Sequence, residues 1–171
     1  MARWHIGALA LCVVSALSSA NCAGCRAEDP ETARIKATTL PTYDTKTGKL
    51  SRLTADLNKN GKIDTWTYMD GARIIRSERD RNEDGKIDYW EYNLPDGKGG
   101  IEHVEEDTNG DGIPDKWDFY ANGSIHTTEW DDTHNGVRNR RWTYGPGGTV
   151  VSVETEPDGR GGYLKKVAVA K

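Results

Sequence analysis

The chain has 171 residues, enough for one ordinary domain and too few for two comfortable ones. Only 35% of it is apolar, and one Phe and two Met stand against six Trp, seven Tyr and nineteen Gly. That balance is poor in helix-core residues and rich in strand and turn formers, which fits a thin, repetitive β architecture. The formal net charge of -4 is spread over regularly spaced acidic clusters; a phosphate backbone demands a contiguous basic surface, so nucleic acid is not an expected partner.

In chain order, residues 1–24 read as a signal peptide. Arg3 gives a basic start, and residues 6–17 form a largely apolar run too short to span a bilayer. The following Asn21-Cys22-Ala23-Gly24-Cys25 resembles a bacterial lipoprotein signal, in which small residues precede the Cys that receives the lipid. Ala23-Gly24 makes Cys25 the favoured lipidation site, with Cys22 the competing frame and ordinary secretory cleavage near Ala20 the alternative. Arg26 follows Cys25 without the Asp of an inner-membrane retention signal, so outer-membrane anchoring in the cell envelope is expected, against a secreted or periplasmic protein. Cys12, Cys22 and Cys25 all lie in this leader, so cleavage before Cys25 leaves no intrachain disulfide and stability must come from elsewhere, for instance bound metal. Residues 25–39 are expected to form the lipidated Cys and a flexible tether, and 40–171 a β-hairpin repeat domain.

Trp66, Trp90, Trp117 and Trp142 recur at steps of 24, 27 and 25, with Tyr68, Tyr92, Phe119-Tyr120 and Tyr144 just after them. Trp66-Thr67-Tyr68 and Trp90-Glu91-Tyr92 alternate aromatic and polar residues as half-buried strands do. Asp70-Gly71, Asp96-Gly97, Asn122-Gly123 and the 145–148 stretch supply tight turns. The returning strands are expected at 73–79, 101–105, 124–130 and 149–155. Such hairpins are marginal alone, so successive ones must share a face. The fold class is therefore all-β: tandem antiparallel hairpins in an elongated sheet or solenoid-like array. The Trp and Tyr rings are expected to stack as a continuous core, with Ile74, Ile101, Ile125 and Val150 opposite them.

Between hairpins the chain repeats Asp-x-Asn-x-Asp/Asn-Gly-x-x-Asp. The first loop sets Asp56, Asn58, Asn60 and Asp64 at positions 1, 3, 5 and 9; the second sets Asp80, Asn82, Asp84 and Asp88; the third sets Asp107, Asn109, Asp111 and Asp115. Glycine stands at position 6 each time, and position 7 would offer the carbonyl of Lys62, Lys86 or Ile113. Ca²⁺ takes six to eight hard oxygens, side chains at positions 1, 3 and 5 can curl around one centre, and no soft ligand is present, so about two to three calcium ions are expected. Glu91 and Asp118 fall at position 12 of the second and third loops as further candidate ligands, although both lie on expected strands. A fourth loop, Asp131 to Asn139, keeps the outline but is crowded by Arg138, Arg140 and Arg141. Solvated Asp/Asn turns are the alternative to metal sites.

The series Asp80-x-Asn82-x-Asp84-Gly85-x-Ile87-Asp88-x-Trp90-x-Tyr92 and its copies resemble bacterial calcium-binding repeat lipoproteins with EF-hand-like aspartate loops between MORN-like β-hairpins. The resemblance implies a repeated sheet surface open to an envelope protein or polysaccharide, and it transfers no catalytic residue. A non-enzymatic, calcium-stabilised scaffold is the expected function. The alternatives are glycan binding by Trp130 or Tyr89, and a metal-dependent hydrolase drawing on His103, His126 or His134.

Overall fold

The computed structural model describes Asp29 and residues 38–169. The signal peptide, the lipidation site at Cys25 and nearly all of the tether lie outside the described residues. Strand β1 (Thr39–Tyr43) opens the array and is followed by β2 (Leu50–Ala55), β3 (Thr65–Asp70), β4 (Arg73–Arg79), β5 (Tyr89–Asn93) and β6 (Ile101–Glu106). Then come β7 (Lys116–Ala121), β8 (Ser124–Trp130), β9 (Arg140–Tyr144), β10 (Val150–Pro157) and β11 (Tyr163–Ala168). All eleven form one antiparallel sheet in sequence order, and β1 does not pair with β11, so the sheet is an elongated meander and not a barrel. Substantial contacts between strands join sheet neighbours only, which makes the sheet a single layer.

The turn chemistry accounts for the hairpins. In the β7–β8 hairpin both Asn122 (φ +51°) and Gly123 (φ +75°) are left-handed, the geometry whose twist matches paired strands. Each of the five tight hairpins carries a register slip near its turn: at Thr42/Tyr43, Tyr68/Met69, Tyr92/Asn93, Phe119/Tyr120 and Val150/Ser152. A bulge bends its strand and increases the local twist. Repeated once per hairpin, it coils a layer that would otherwise be flat.

Residues directly opposite one another in an antiparallel pair share a face, so the register defines cross-strand rows. One row runs Thr54, Trp66, Glu78, Trp90, Glu105, Trp117, Glu129, Arg141, Glu154, Lys166. The expected unbroken aromatic stack is therefore corrected: each Trp in the row is separated from the next by a glutamate. Ile74, Ile101, Ile125 and Val150 are not opposite the Trp residues either, but pair with Met69, Asn93, Tyr120 and Tyr144 at the bulges. The single-residue offset of Trp142 puts Arg141 in the Trp row, and Trp142 falls in the adjacent row between Thr128 and Val153, on the other face.

A single layer has no second sheet to bury its faces, so side chains cover one another. The Arg76 guanidinium lies 4.4 Å from the Tyr68 ring centre and 2.9 Å from Glu78, to which the Tyr68 hydroxyl also donates at 2.9 Å. His103 stacks on Tyr92 at 4.4 Å and on Phe119 at 5.8 Å. Arg138 covers Trp117 at 4.3 Å and joins Arg141 in holding the buried Glu129. The few buried apolar residues, Ala55, Met69, Val104 and Trp117, are accompanied by buried Ser77, Thr128 and Ser152.

Candidate functional site

Because the chain is a strict meander, all tight turns fall along one margin of the sheet and all aspartate loops along the other. The loops continue the sheet's own hydrogen bonding. In each of the first four, the position 9 amide donates to the carbonyl just before position 1: Asp64 to Ala55, Asp88 to Arg79, Asp115 to Glu106 and Asn139 to Trp130, at 2.8–3.0 Å. The position 1 amide then donates to the position 9 carbonyl of the preceding loop: Asp80 to Asp64, Asp107 to Asp88 and Asp131 to Asp115. The loops are thereby stacked in register.

Their backbones match. Position 4 is left-handed in every loop, at Lys59 (φ +65°), Glu83 (+63°), Gly110 (+81°) and His134 (+54°), and so is the position 6 glycine, at φ +83° to +91°. Side-chain oxygens fasten this conformation. The first aspartate accepts the position 6 amide, as Gly61 gives to Asp56 and Gly85 to Asp80; the position 3 oxygen accepts the amide of position 5, and position 5 that of position 7. Positions 3 and 5 also touch directly, the Asn82 amide donating to Asp84 at 3.3 Å and Asn109 to Asp111 at 3.1 Å. These are the residues that the sequence pattern singled out at positions 1, 3 and 5.

Position 9 has a different job. Asp64 accepts the amides of Leu57 and Asn58, Asp88 those of Arg81 and Asn82, and Asp115 that of Thr108 together with its hydroxyl. Asp64 and Asp88 close their loops by capping the second and third residues, and Asp115 by capping the second alone. Glu91 and Asp118 stand on the sheet with their carboxylates engaged there: Glu91 accepts from the Tyr89 hydroxyl, and Asp118 from Thr128 at 2.5 Å while pairing with Lys116 at 2.9 Å. Lys62, Lys86 and Ile113 hold position 7, and the Lys86 ammonium crosses to the Gly110 carbonyl of the next loop at 2.9 Å. Among the described residues no three His, Cys, Asp or Glu side chains come together as a ready-made metal cluster.

The fourth loop, which the sequence marks as degenerate, keeps the same frame: Asp131 accepts the Gly136 amide at 2.6 Å, and Asn139 caps Asp132. Its position 4 side chain reaches backward, as His134 meets Asn109 at 2.8 Å and Asp115 at 3.4 Å. Glu83 in the second loop does the same toward the first, accepting from Asn58 at 2.9 Å and Asn60 at 2.6 Å. Position 4 carries no signal in the pattern of a single loop, because within one loop it does nothing. Aligning consecutive loops at their steps of roughly 25 residues would have set it beside positions 3 and 5 of the loop before.

No family model matches this chain, and no curated protein matches it. Among solved structures it is similar to a crystal structure of accessory secretory protein 1, 2 and 3 in Streptococcus pneumoniae, with 17% identity over 70% of this chain and a TM-score of 0.35. The match spans 19% of that chain's length. A likeness of that degree leaves fold and function to be argued from the residues themselves.

The other candidates are dispersed. His103 is packed between two rings on β6, His126 is exposed on β8, and His134 lies in the fourth loop. Tyr89 has the guanidinium groups of Arg79 and Arg81 over its ring at 5.2 and 4.7 Å, and Trp130 has Arg140 over it at 4.3 Å and Trp142 edge-on at 4.8 Å.

Electrostatics in the loops yields a pH dependence. Burial opposes ionisation of Asp107, but the amides of Gly112, Gly110, Asn109 and Asp111 outweigh it and hold the carboxyl below its usual range. Asp131 follows the same logic: burial raises it, and the Gly136, Asn135 and Thr133 donors bring it below. A folded-state value under the unfolded one, about 3.9, adds stability above that pH and loses it as pH falls through the folded value. In chelator, the urea midpoint is expected to hold from neutral pH to about 5 and then drop steeply, with Asp107→Asn flattening the drop. A midpoint unchanged down to about pH 2 would contradict this.

Proposed function

We propose that the chain is a calcium-stabilised, exported surface lipoprotein acting as a non-enzymatic scaffold in a bacterial cell envelope. The observation that carries the reading is the stack of matching loops, in which oxygens at positions 1, 3 and 5 are fastened around a shared backbone conformation and repeated along one margin of the sheet. Hard oxygens in that arrangement suit Ca²⁺ and offer nothing to soft metals. Side chains at positions 1, 3 and 5 would hold the ion in the first three loops. Metal binding there is structural: the loops are already continuous with the sheet ladder, so an ion fastens neighbouring hairpins.

The leader supports lipid anchoring at Cys25, and Cys25→Ser is expected to abolish incorporation of labelled palmitate, with retained labelling pointing to Cys22. The single-layer sheet supports a protein-interaction surface, because it presents long rows of side chains. Guanidinium groups over Tyr89 and Trp130 favour an envelope protein over a polysaccharide as partner, since a stacking sugar needs a free ring face. Calorimetric titration of residues 26–171 with calcium tests the central reading. Binding of about two to three ions in the range of roughly 10⁻⁴–10⁻³ M is expected, and no heat up to about 10 mM would overturn it.

A further inference from the structure

We propose that the second loop, residues 80–88, is the calcium site that fills first, with Asp80 Oδ1 as its anchoring ligand, and that Glu83 couples its filling to the first loop. The inference rests on the calcium reading above and adds an order and a coupling to it.

The four loops share one backbone, so differences among their first aspartates are informative. Asp56 Oδ1 accepts the amides of Lys59 and Asn60, Asp107 Oδ1 those of Asn109 and Gly110, and Asp131 Oδ1 the amide and hydroxyl of Thr133. In each of these loops the second oxygen takes the position 6 glycine amide. Asp80 differs: Oδ2 accepts from Gly85, but Oδ1 is buried and accepts no hydrogen bond, in a residue only 8% exposed. The bond from Gly85 aims the carboxylate into its own loop. Two cations flank it without forming an ion pair with it: Arg81 spends its guanidinium on Asp88 at 2.7 Å and Glu106 at 2.9 Å, and Arg79 lies over the Tyr89 ring at 5.2 Å with its Nε unpartnered.

A buried anionic oxygen without a donor is costly to keep, and a hard cation is its natural partner. The loop also carries a second carboxylate, Asp84, at position 5, where the first and fourth loops carry Asn60 and Asn135. Only the third loop equals it in charge, and there Asp107 is already saturated by amides. Ligand charge count sets calcium affinity in such loops.

Coupling follows from position 4. Glu83 takes its left-handed backbone from the second loop and projects its carboxylate onto the side-chain amides of Asn58 and Asn60. Held by their nitrogens, both side chains turn their oxygens to the backbone of the first loop, where Asn58 Oδ1 accepts from Asn60 and Asn60 Oδ1 from Lys62. Glu83 is thus a positioning residue for the first loop, whose only carboxylate among positions 1, 3 and 5 is Asp56. The two loops also share a cleft of about 330 Å³, in which Asn58, Asp64, Asp80 and Glu83 stand beside the cations Arg79 and Arg81. Ordering the second loop with calcium fixes Glu83 and so raises the affinity of the first, and linkage makes the effect reciprocal.

The Gly61, Gly85 and Gly112 amides each donate to the first aspartate of their own loop, so their NMR signals report the three loops separately. In a calcium titration of the full chain in detergent micelles, Gly85 is expected to respond at the lowest concentration and Gly61 after it. Asp80→Asn, which keeps the side-chain shape, is expected to raise the Gly85 midpoint by about tenfold or more. Glu83→Gln is expected to raise the Gly61 midpoint by about fivefold while moving Gly85 by less, because the second loop fills while the first is still largely empty; this exposed substitution spares the fold. A response beginning at Gly61 or Gly112 overturns the order, and a Gly61 midpoint indifferent to Glu83→Gln overturns the coupling, both with calcium binding intact. Three glycines unmoved at about 10 mM calcium would remove the calcium reading and this inference together.

Discussion

Adding calcium to the chelated chain is expected to raise its thermal unfolding midpoint by at least about 5 °C, with the far-ultraviolet circular dichroism signal keeping its β character throughout. The size follows from mass action. At about 10 mM calcium and a Kd of roughly 10⁻⁴–10⁻³ M, each filled site adds about 1–3 kcal/mol to the folded state. For a domain of this length about 1 kcal/mol moves the midpoint by roughly 3–6 °C. The chain is unusually receptive to such a contribution. Its sheet is a single layer with four buried apolar residues, Ala55, Met69, Val104 and Trp117, and the described residues contain no cysteine. The carboxylates along the loop margin also repel one another without a counter-ion. Magnesium is expected to do less, because it demands near-octahedral geometry and sheds its waters reluctantly. A midpoint insensitive to calcium but raised equally by any salt would point to general screening and against site binding.

Trp117→Ala is expected to cost about 3–5 kcal/mol, the largest loss from any single substitution in the sheet. Trp117 lies on β7, near the middle of the strand order, and is 9% exposed. Its ring carries the Arg138 guanidinium at 4.3 Å, and Arg138 in turn holds Glu129 at 2.8 Å beside Arg141. Truncation removes the apolar body and also opens a shielded ion pair to water. In a quasi-one-dimensional array each hairpin is stabilised by its neighbours, so a central loss also uncouples the two halves. Urea unfolding of the calcium-loaded protein is expected to become less cooperative as well as less stable. Leu164→Ala, at a side chain 72% exposed on the terminal strand, is the control and should stay within about 0.5 kcal/mol. A Trp117→Ala loss of under about 1 kcal/mol would mean that the aromatic row covers the sheet without holding it.

Much of this architecture was legible in the residues. The strands 73–79 and 124–130 fall where alternation and turn glycines set them. The loop frame was legible too, because its bonds are short-range: an Asp at position 1 meets the amide at position 6 within five residues, and glycine alone adopts φ near +90° there at little cost. Local geometry of this kind is encoded locally, which is why the sequence by itself determined the β class, the hairpin periodicity and the loop backbone.

What only the tertiary structure decided concerns residues brought together by register. Periodicity counted Trp142 with the other three tryptophans, but a one-residue offset in a pleated strand reverses the face, and Arg141 took its place in the row. The aromatic rows read as a core, yet alternate strands insert Glu78, Glu105 and Glu129 between the rings, a relation across strands that no single-strand pattern contains. Asp88 matched a ligand position by count, and its bonds to Arg81 and Asn82 made it a cap. Glu83 matched nothing within its own loop and acquired a partner only when the ladder set that loop against the one before it. Short-range bonds shape each loop; the spacing between loops, set by the strands they join, determines which loop each side chain serves.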